Sequence, residues 1–115
     1  MSGEVVPRVN MDDLRWHEGH GLYAYQGVPF TGVAFTIEWG GLTSETQYHG
    51  GLRSGTHREW HPNGQLAVEK VGEHGILLRE QQWDESGWVV KEYTIKESGP
   101  DWQTLELCRK LYGSH

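Results

Sequence analysis

Seven histidines, one cysteine and sixteen Asp or Glu residues are the groups with which this 115-residue chain could do chemistry. Metal binding comes first, because His57 and His61 stand four residues apart. On a helix that spacing puts two imidazoles on one face; on a strand it spans roughly 13 Å, too far for one ion. The surrounding pattern reads as strand, so both are read as surface histidines, and no metal and no other cofactor is expected. Cys108 falls on the apolar side of a helical pattern, where a lone cysteine is packing, and the chain has no G-x-S-x-G nucleophile elbow. Glu69 and Glu92 lie 23 residues apart and could in principle share acid–base work. Recurrence at that interval instead suits a ladder role, with Glu69 opposite Arg58. The glycines form no phosphate-binding G-x-x-x-x-G-K-[ST] loop either. No catalytic residue is assigned, and the chain is read as not an enzyme.

The elements that carry these residues repeat. Gly41, Gly64 and Gly87 are spaced by 23, as are Ile37, Trp60 and Trp83, and Tyr25-x-Gly27 precedes Tyr48-x-Gly50 by the same stride. Glycines and aromatics in phase at a fixed period mark a repeat protein. Two-residue turns at Gly40-Gly41, Asn63-Gly64 and Ser86-Gly87 would pair Ile37 with Ser44, Phe35 with Thr46 and Val33 with Tyr48. The same turns pair Trp60 with Ala67, Arg58 with Glu69, Trp83 with Val90 and Gln81 with Glu92. Because strand side chains alternate, Ile37, Trp60 and Trp83 then share one face as the core. Glu38, Thr36, Glu45 and Gln47 fall together on the other.

Two segments frame the array. Residues 1–22 read as an N-terminal segment and degenerate half-repeat that caps it, and 23–97 as hairpin repeats. Residues 98–115 change character. Pro100 suits a first helical turn, and Trp102, Leu105, Cys108, Leu111 and Tyr112 recur at helical spacing. Arg109 and Lys110 fall in the last turn and Gly113 stops it. The helix is expected to cover an open sheet end or the aromatic face. All of this reads as one domain.

A net charge of −6 argues against direct binding of nucleic acid, and is compatible with a basic protein partner. One cysteine allows no internal disulfide, which fits a reducing interior. No stretch approaches the ~18 apolar residues of a membrane span, and the N-terminus carries no apolar leader. A cytoplasmic protein is expected, of open oligomeric state.

Tyr25-x-Gly27-x-Pro29-Phe30-Thr31-Gly32, followed by Trp60-x-x-Asn63-Gly64-x-Leu66-x-x-Glu69, resembles the bacterial variant of the MORN repeat, of the YwqK antitoxin-like kind. The likeness covers roughly residues 23–93. It departs from the pattern at Glu73 and Leu78, where the stride predicts glycine. The resemblance implies a mainly β fold, an elongated antiparallel meander of stacked 23-residue hairpins; the one C-terminal helix is no part of the repeat and is read from its own spacing. It also implies an immunity protein or antitoxin that neutralises a cognate toxin by occlusion. The alternative is a MORN-type scaffold or adaptor that binds another protein or self-assembles. On the toxin reading the partner-binding residues are Glu38 and Glu45 as acidic steering groups. Trp39 and Trp88, at hairpin tips where burial is hard, are the apolar anchors.

Overall fold

A computed structural model describes residues 7–38 and 41–113 of the chain. Strands take 56% of it and helix 15%, so the protein is mainly β. Six strands follow one another as an antiparallel meander: β5 (Gly32–Glu38), β6 (Gly41–His49), β7 (Leu52–Trp60), β8 (Leu66–Glu73), β9 (Ile76–Trp83) and β10 (Val89–Thr94). A short β1 (Arg8–Asn10) adds to the β5 edge in parallel, giving seven strands. A second, three-stranded sheet comprises β2 (Arg15–His17), β3 (Leu22–Tyr25) and β4 (Val28–Pro29). The helix α1 runs Pro100–Tyr112, with Gly113 donating its N–H to Arg109 O as the stop.

Two kinds of turn alternate along the meander. At one sheet end β6–β7 and β8–β9 close with two-residue turns, Gly50-Gly51 (φ 58° and 86°) and His74-Gly75 (φ 51° and 76°). Both central residues at positive φ is the type I′ signature. The third unit therefore does turn where the glycine stride broke down, one residue after Glu73.

The other sheet end departs from the expected two-residue turns. His61 N donates to Gln65 O and Gly64 N to His61 O, while Asp84 N donates to Trp88 O and Gly87 N to Asp84 O. Only Gly64 and Gly87 of their turn pairs have positive φ, so neither Asn63-Gly64 nor Ser86-Gly87 is type I′. Each loop is longer than expected, and a bulge beside it shifts the neighbouring pair: Trp60 faces Leu66 rather than Ala67, and Trp83 faces Val89 rather than Val90. Beyond the bulges Arg58 faces Glu69 and Gln81 faces Glu92, as the sequence predicts.

The first hairpin slips further. Its closing pair is Glu38 with Gly41, so Phe35 faces Glu45, Ala34 faces Thr46 and Gly32 faces Tyr48. The expected turn at Gly40-Gly41 falls partly on Gly40, outside the described residues. One residue of slip reverses a strand's faces relative to its neighbour. Ala34, Thr46 and Tyr48 therefore share a face, and they are buried at 0%, 2% and 3% exposure. By alternation Ile37, Trp60 and Trp83 do lie on one side, but it is the opposite side. There they accompany the charged row Glu45, Arg58, Glu69 and Glu92, and Ile37 is 54% exposed.

The core sits instead on the Ala34 face, beneath the three-stranded sheet, where Leu14 and Phe30 close over Ala34 and Tyr48. Rings continue outward: Phe30 to Tyr48 at 5.8 Å, Tyr48 to Tyr23 at 5.7 Å and Tyr23 to Trp16 at 4.9 Å. Tyr23 N donates to Gly51 O and Gly51 N to Phe30 O, fastening the small sheet to the Gly50-Gly51 turn.

The extents are 42 × 40 × 37 Å, so the expected elongation is absent. Seven strands at ~4.8 Å make a sheet about as wide as its nine-residue strands are long, ~30 Å each way. Among the described residues no helix is long and apolar enough to cross a membrane.

Candidate functional site

Three parts of the chain meet at the type I′ turn end of the large sheet and leave a cleft of about 700 Å³ between them. The three-stranded sheet contributes Trp16 and Tyr23, stacked edge to face. The two turns contribute Leu52 and Arg53, just after Gly51, and His74 beside Gly75. The helix contributes Cys108 and Tyr112. Each wall has a local cause. The turn at 50–51 must come close to β3, because a Cβ on Gly51 would meet Tyr23 O at 2.7 Å and Leu22 Cβ at 2.8 Å. That approach presents the next residue, Leu52, beside Tyr23.

The helix is pinned by charge as well as packing. Leu105 is fully buried, with Trp102, Cys108 and Arg109 partly covered beside it. Leu111 and Tyr112, expected on the buried stripe, are 64% and 67% exposed. Arg109 donates to both carboxylate oxygens of Glu73 at 2.7 and 2.9 Å, and its guanidinium lies 5.7 Å from the Trp102 ring centroid. Hydrogen bonding to Glu73 raises the guanidinium further above its already high pKa. His74 Nε2 donates to Gly113 O at 2.6 Å and so ties the second turn to the helix end. These contacts hold the helix to the end of β8.

The rim is apolar and open: Trp16, Leu52 and Tyr112 are 54%, 58% and 67% exposed. None of the described residues that line the cleft is Asp or Glu, although the chain as a whole carries −6. Arg53 lines it without an ion pair to any described residue. Such a surface can take an apolar group, with a cation placed for a negative one.

A hydroxyl–imidazole–carboxylate chain also crosses the sheet: Thr46 Oγ1 is 2.7 Å from His57 Nδ1, and His57 Nε2 is 2.8 Å from Glu59 Oε2. The order is that of a nucleophile, base and orienting acid. Thr46 is only 2% exposed, within the sheet interior, so no substrate carbonyl reaches its oxygen. The chain stitches β6 to β7. His61, expected at the surface near the strand end, bonds Trp83 O at 2.7 Å and links neighbouring loops. On the same face as Thr46, Glu80 is buried at 5% exposure. Its carboxyl is held below the usual carboxylate range by the Gln82 amide, assisted by Lys70 and Lys91.

The residues picked from sequence do not gather. Trp39 lies outside the described residues. Glu38 closes the first hairpin beside a 330 Å³ hollow with Trp60 and Pro62. Alternation along β5 puts Glu38 on the Ala34 face, whereas Glu45 lies on the Phe35 face, paired with Arg8 and opposite Arg58. The expected shared face is thus corrected by the register. Trp88, 74% exposed, ends the 84–88 loop. Four strand spacings, ~19 Å, separate that loop from the first hairpin tip. The cleft residues Trp16, Leu52, Arg53 and Tyr112 were not singled out as a site from sequence. Their one local signal is the Gly50-Gly51 doublet, which demands close approach by another backbone.

No family model matches the chain, and neither a curated protein nor a solved structure does.

Proposed function

We propose that this chain works by binding another protein, and that the partner is a toxin which it neutralises by occlusion in the cytoplasm. The observation that carries the reading is the apolar rim, where Trp16, Leu52 and Tyr112 stand exposed around one cleft. Aromatic and aliphatic groups left open around a concavity are the usual anchors of a protein interface, and isolated exposed residues are not. The acidic remainder of the surface supports a basic partner, since opposite charge speeds encounter. The MORN-like repeat reading is supported by the two loops 61–65 and 84–88, which close with the same two backbone hydrogen bonds 23 residues apart. Glu38 and Trp88, at the opposite sheet end, are secondary contacts in this reading.

The test is a photo-crosslinking residue placed at Leu52 in the native host, with a second placed at Arg79, which does not line the cleft. The reading expects one protein joined through position 52 and not through position 79. Equal capture at both positions, or none at 52, would sink it.

A single edge favours the adaptor reading as a second possibility. All six residues of β10 are exposed, Val89, Val90 and Tyr93 among them, and its outer edge pairs with no described strand. Such an edge can accept a strand from another protein.

A further inference from the structure

We propose that the cleft is a binding site for a free apolar monocarboxylate, a small molecule with an aliphatic tail and one anionic head. This goes beyond the toxin reading and does not rest on it. Three observations carry it. The volume, about 700 Å³, is that of a small-molecule site rather than a surface dimple. The apolar walls are rings and chains that an alkyl tail would cover: Trp16 and Tyr23 on the small sheet, Leu52 after the first turn and Tyr112 on the helix. The charge of the lining is opposite in sign to that of the chain. In a protein with sixteen acidic and ten basic residues, no Asp or Glu is among the described residues that line the cleft.

Arg53 is the group that reads the head. It lies directly after Leu52, opposes Tyr48 across the ladder, and makes no ion pair with a described residue. The other guanidinium near this end, that of Arg109, is already held on both carboxylate oxygens of Glu73. Glu73 is therefore neutralised behind the cleft, and Arg53 is left for an incoming anion. A planar guanidinium beside an apolar wall suits a carboxylate with a tail. An ammonium head would meet repulsion there, and an alcohol would use the wall alone.

Cys108 makes the proposal measurable, because it lines the cleft and is the chain's single thiol. Its rate of reaction with a disulfide reagent is followed on the full chain with sub-micellar decanoate, decanol or decyltrimethylammonium. Decanoate should slow the reaction saturably, decanol more weakly and the cation least. Arg53→Gln should raise the half-saturating decanoate concentration by about tenfold, the scale of one charge-assisted hydrogen bond, and leave decanol unchanged. Arg79→Gln, on the opposite sheet face, should change neither. Equal protection by decanoate and decanol, an unchanged response in Arg53→Gln, or no protection by any probe would each overturn the proposal. No partner protein is present, so failure of the toxin reading would leave this result untouched.

Discussion

Alanine at Gly51 and alanine at Gly64 form a matched pair that isolates how the small sheet docks on the large one. The two glycines have almost the same backbone, φ 86° and 88°. Adding a Cβ to a left-handed residue costs ~1–2 kcal/mol in either place. Their surroundings differ. A Cβ at Gly64 meets nothing within 4 Å, whereas at Gly51 it meets the Tyr23 carbonyl oxygen at 2.7 Å and Leu22 Cβ at 2.8 Å. The obstacle at Gly51 is backbone and cannot rotate away. It also belongs to the hydrogen-bonded junction in which Tyr23 N donates to Gly51 O at 2.9 Å. Relieving the clash means moving β3, which costs a further ~1–3 kcal/mol, the scale of overpacking. For a chain of this length the unfolding entropy is ~0.24 kcal/mol/K. Gly64→Ala should thus lower Tm by ~4–8 °C and Gly51→Ala by roughly twice that. Urea titrations supply the free energies, and an unchanged slope would confirm that two-state unfolding holds in both. Equal losses in the two variants would refute the reasoning, because they would mean that β3 does not lie against the turn as described.

Three further perturbations follow from particular contacts. Ending the chain after Ser98 removes the fully buried Leu105 and the Arg109–Glu73 pair; the truncated protein should melt lower and bind more of an apolar dye, and an unchanged melt would make the helix an appendage. Because hydrogen bonding from Gln82 lowers the folded pKa of Glu80 below 4.5, its stabilising share is present above that value and lost as pH falls through the lowered one. Glu80→Gln should therefore flatten the acid limb of the stability curve below about pH 4.5, and a parallel curve would contradict the assignment. Glu38→Lys should slow association with a basic partner at low salt and leave dissociation alone, as measured by surface plasmon resonance at two ionic strengths; a salt-independent rate would remove Glu38 from the steering surface.

The parts of the fold that the sequence revealed are those governed by local rules. Pro100 and Gly113 bracket a helix at the expected residues, because helix ends are written in residue type. Arg58 with Glu69 and Gln81 with Glu92 were legible because they lie beyond the bulges, where the stride fixes the count. Trp60 and Val33 were mispaired for the converse reason. Turn glycines reveal that the chain reverses, but the number of residues in the reversal depends on which one adopts positive φ. Asn63 does not, and the loop lengthens. In the first hairpin one residue of slip puts Ala34, rather than Phe35, beside Thr46 on the core side, which is why Ala34 was missed. His74 supplies a positive φ without being glycine, so no stride of glycines could find that turn. The cleft was illegible for a different reason. Its walls come from residues 16–23, 49–54, 74–75 and 108–112, and their meeting is fixed by the docking of the small sheet and the helix.

The most direct test of the central claim is growth rescue. The protein joined through position 52 is expressed alone, then together with this chain, and then with the chain carrying both Leu52→Asp and Tyr112→Ala. Each of these residues is more than half exposed, so neither change should unfold the chain. Loss of two interface anchors, ~2 kcal/mol or more apiece, should weaken the complex at least several hundredfold. The account predicts arrest by the partner alone, recovery with the parent chain, and no recovery with the double variant. Growth unaffected by the partner, or rescue by the double variant as complete as by the parent, would contradict it.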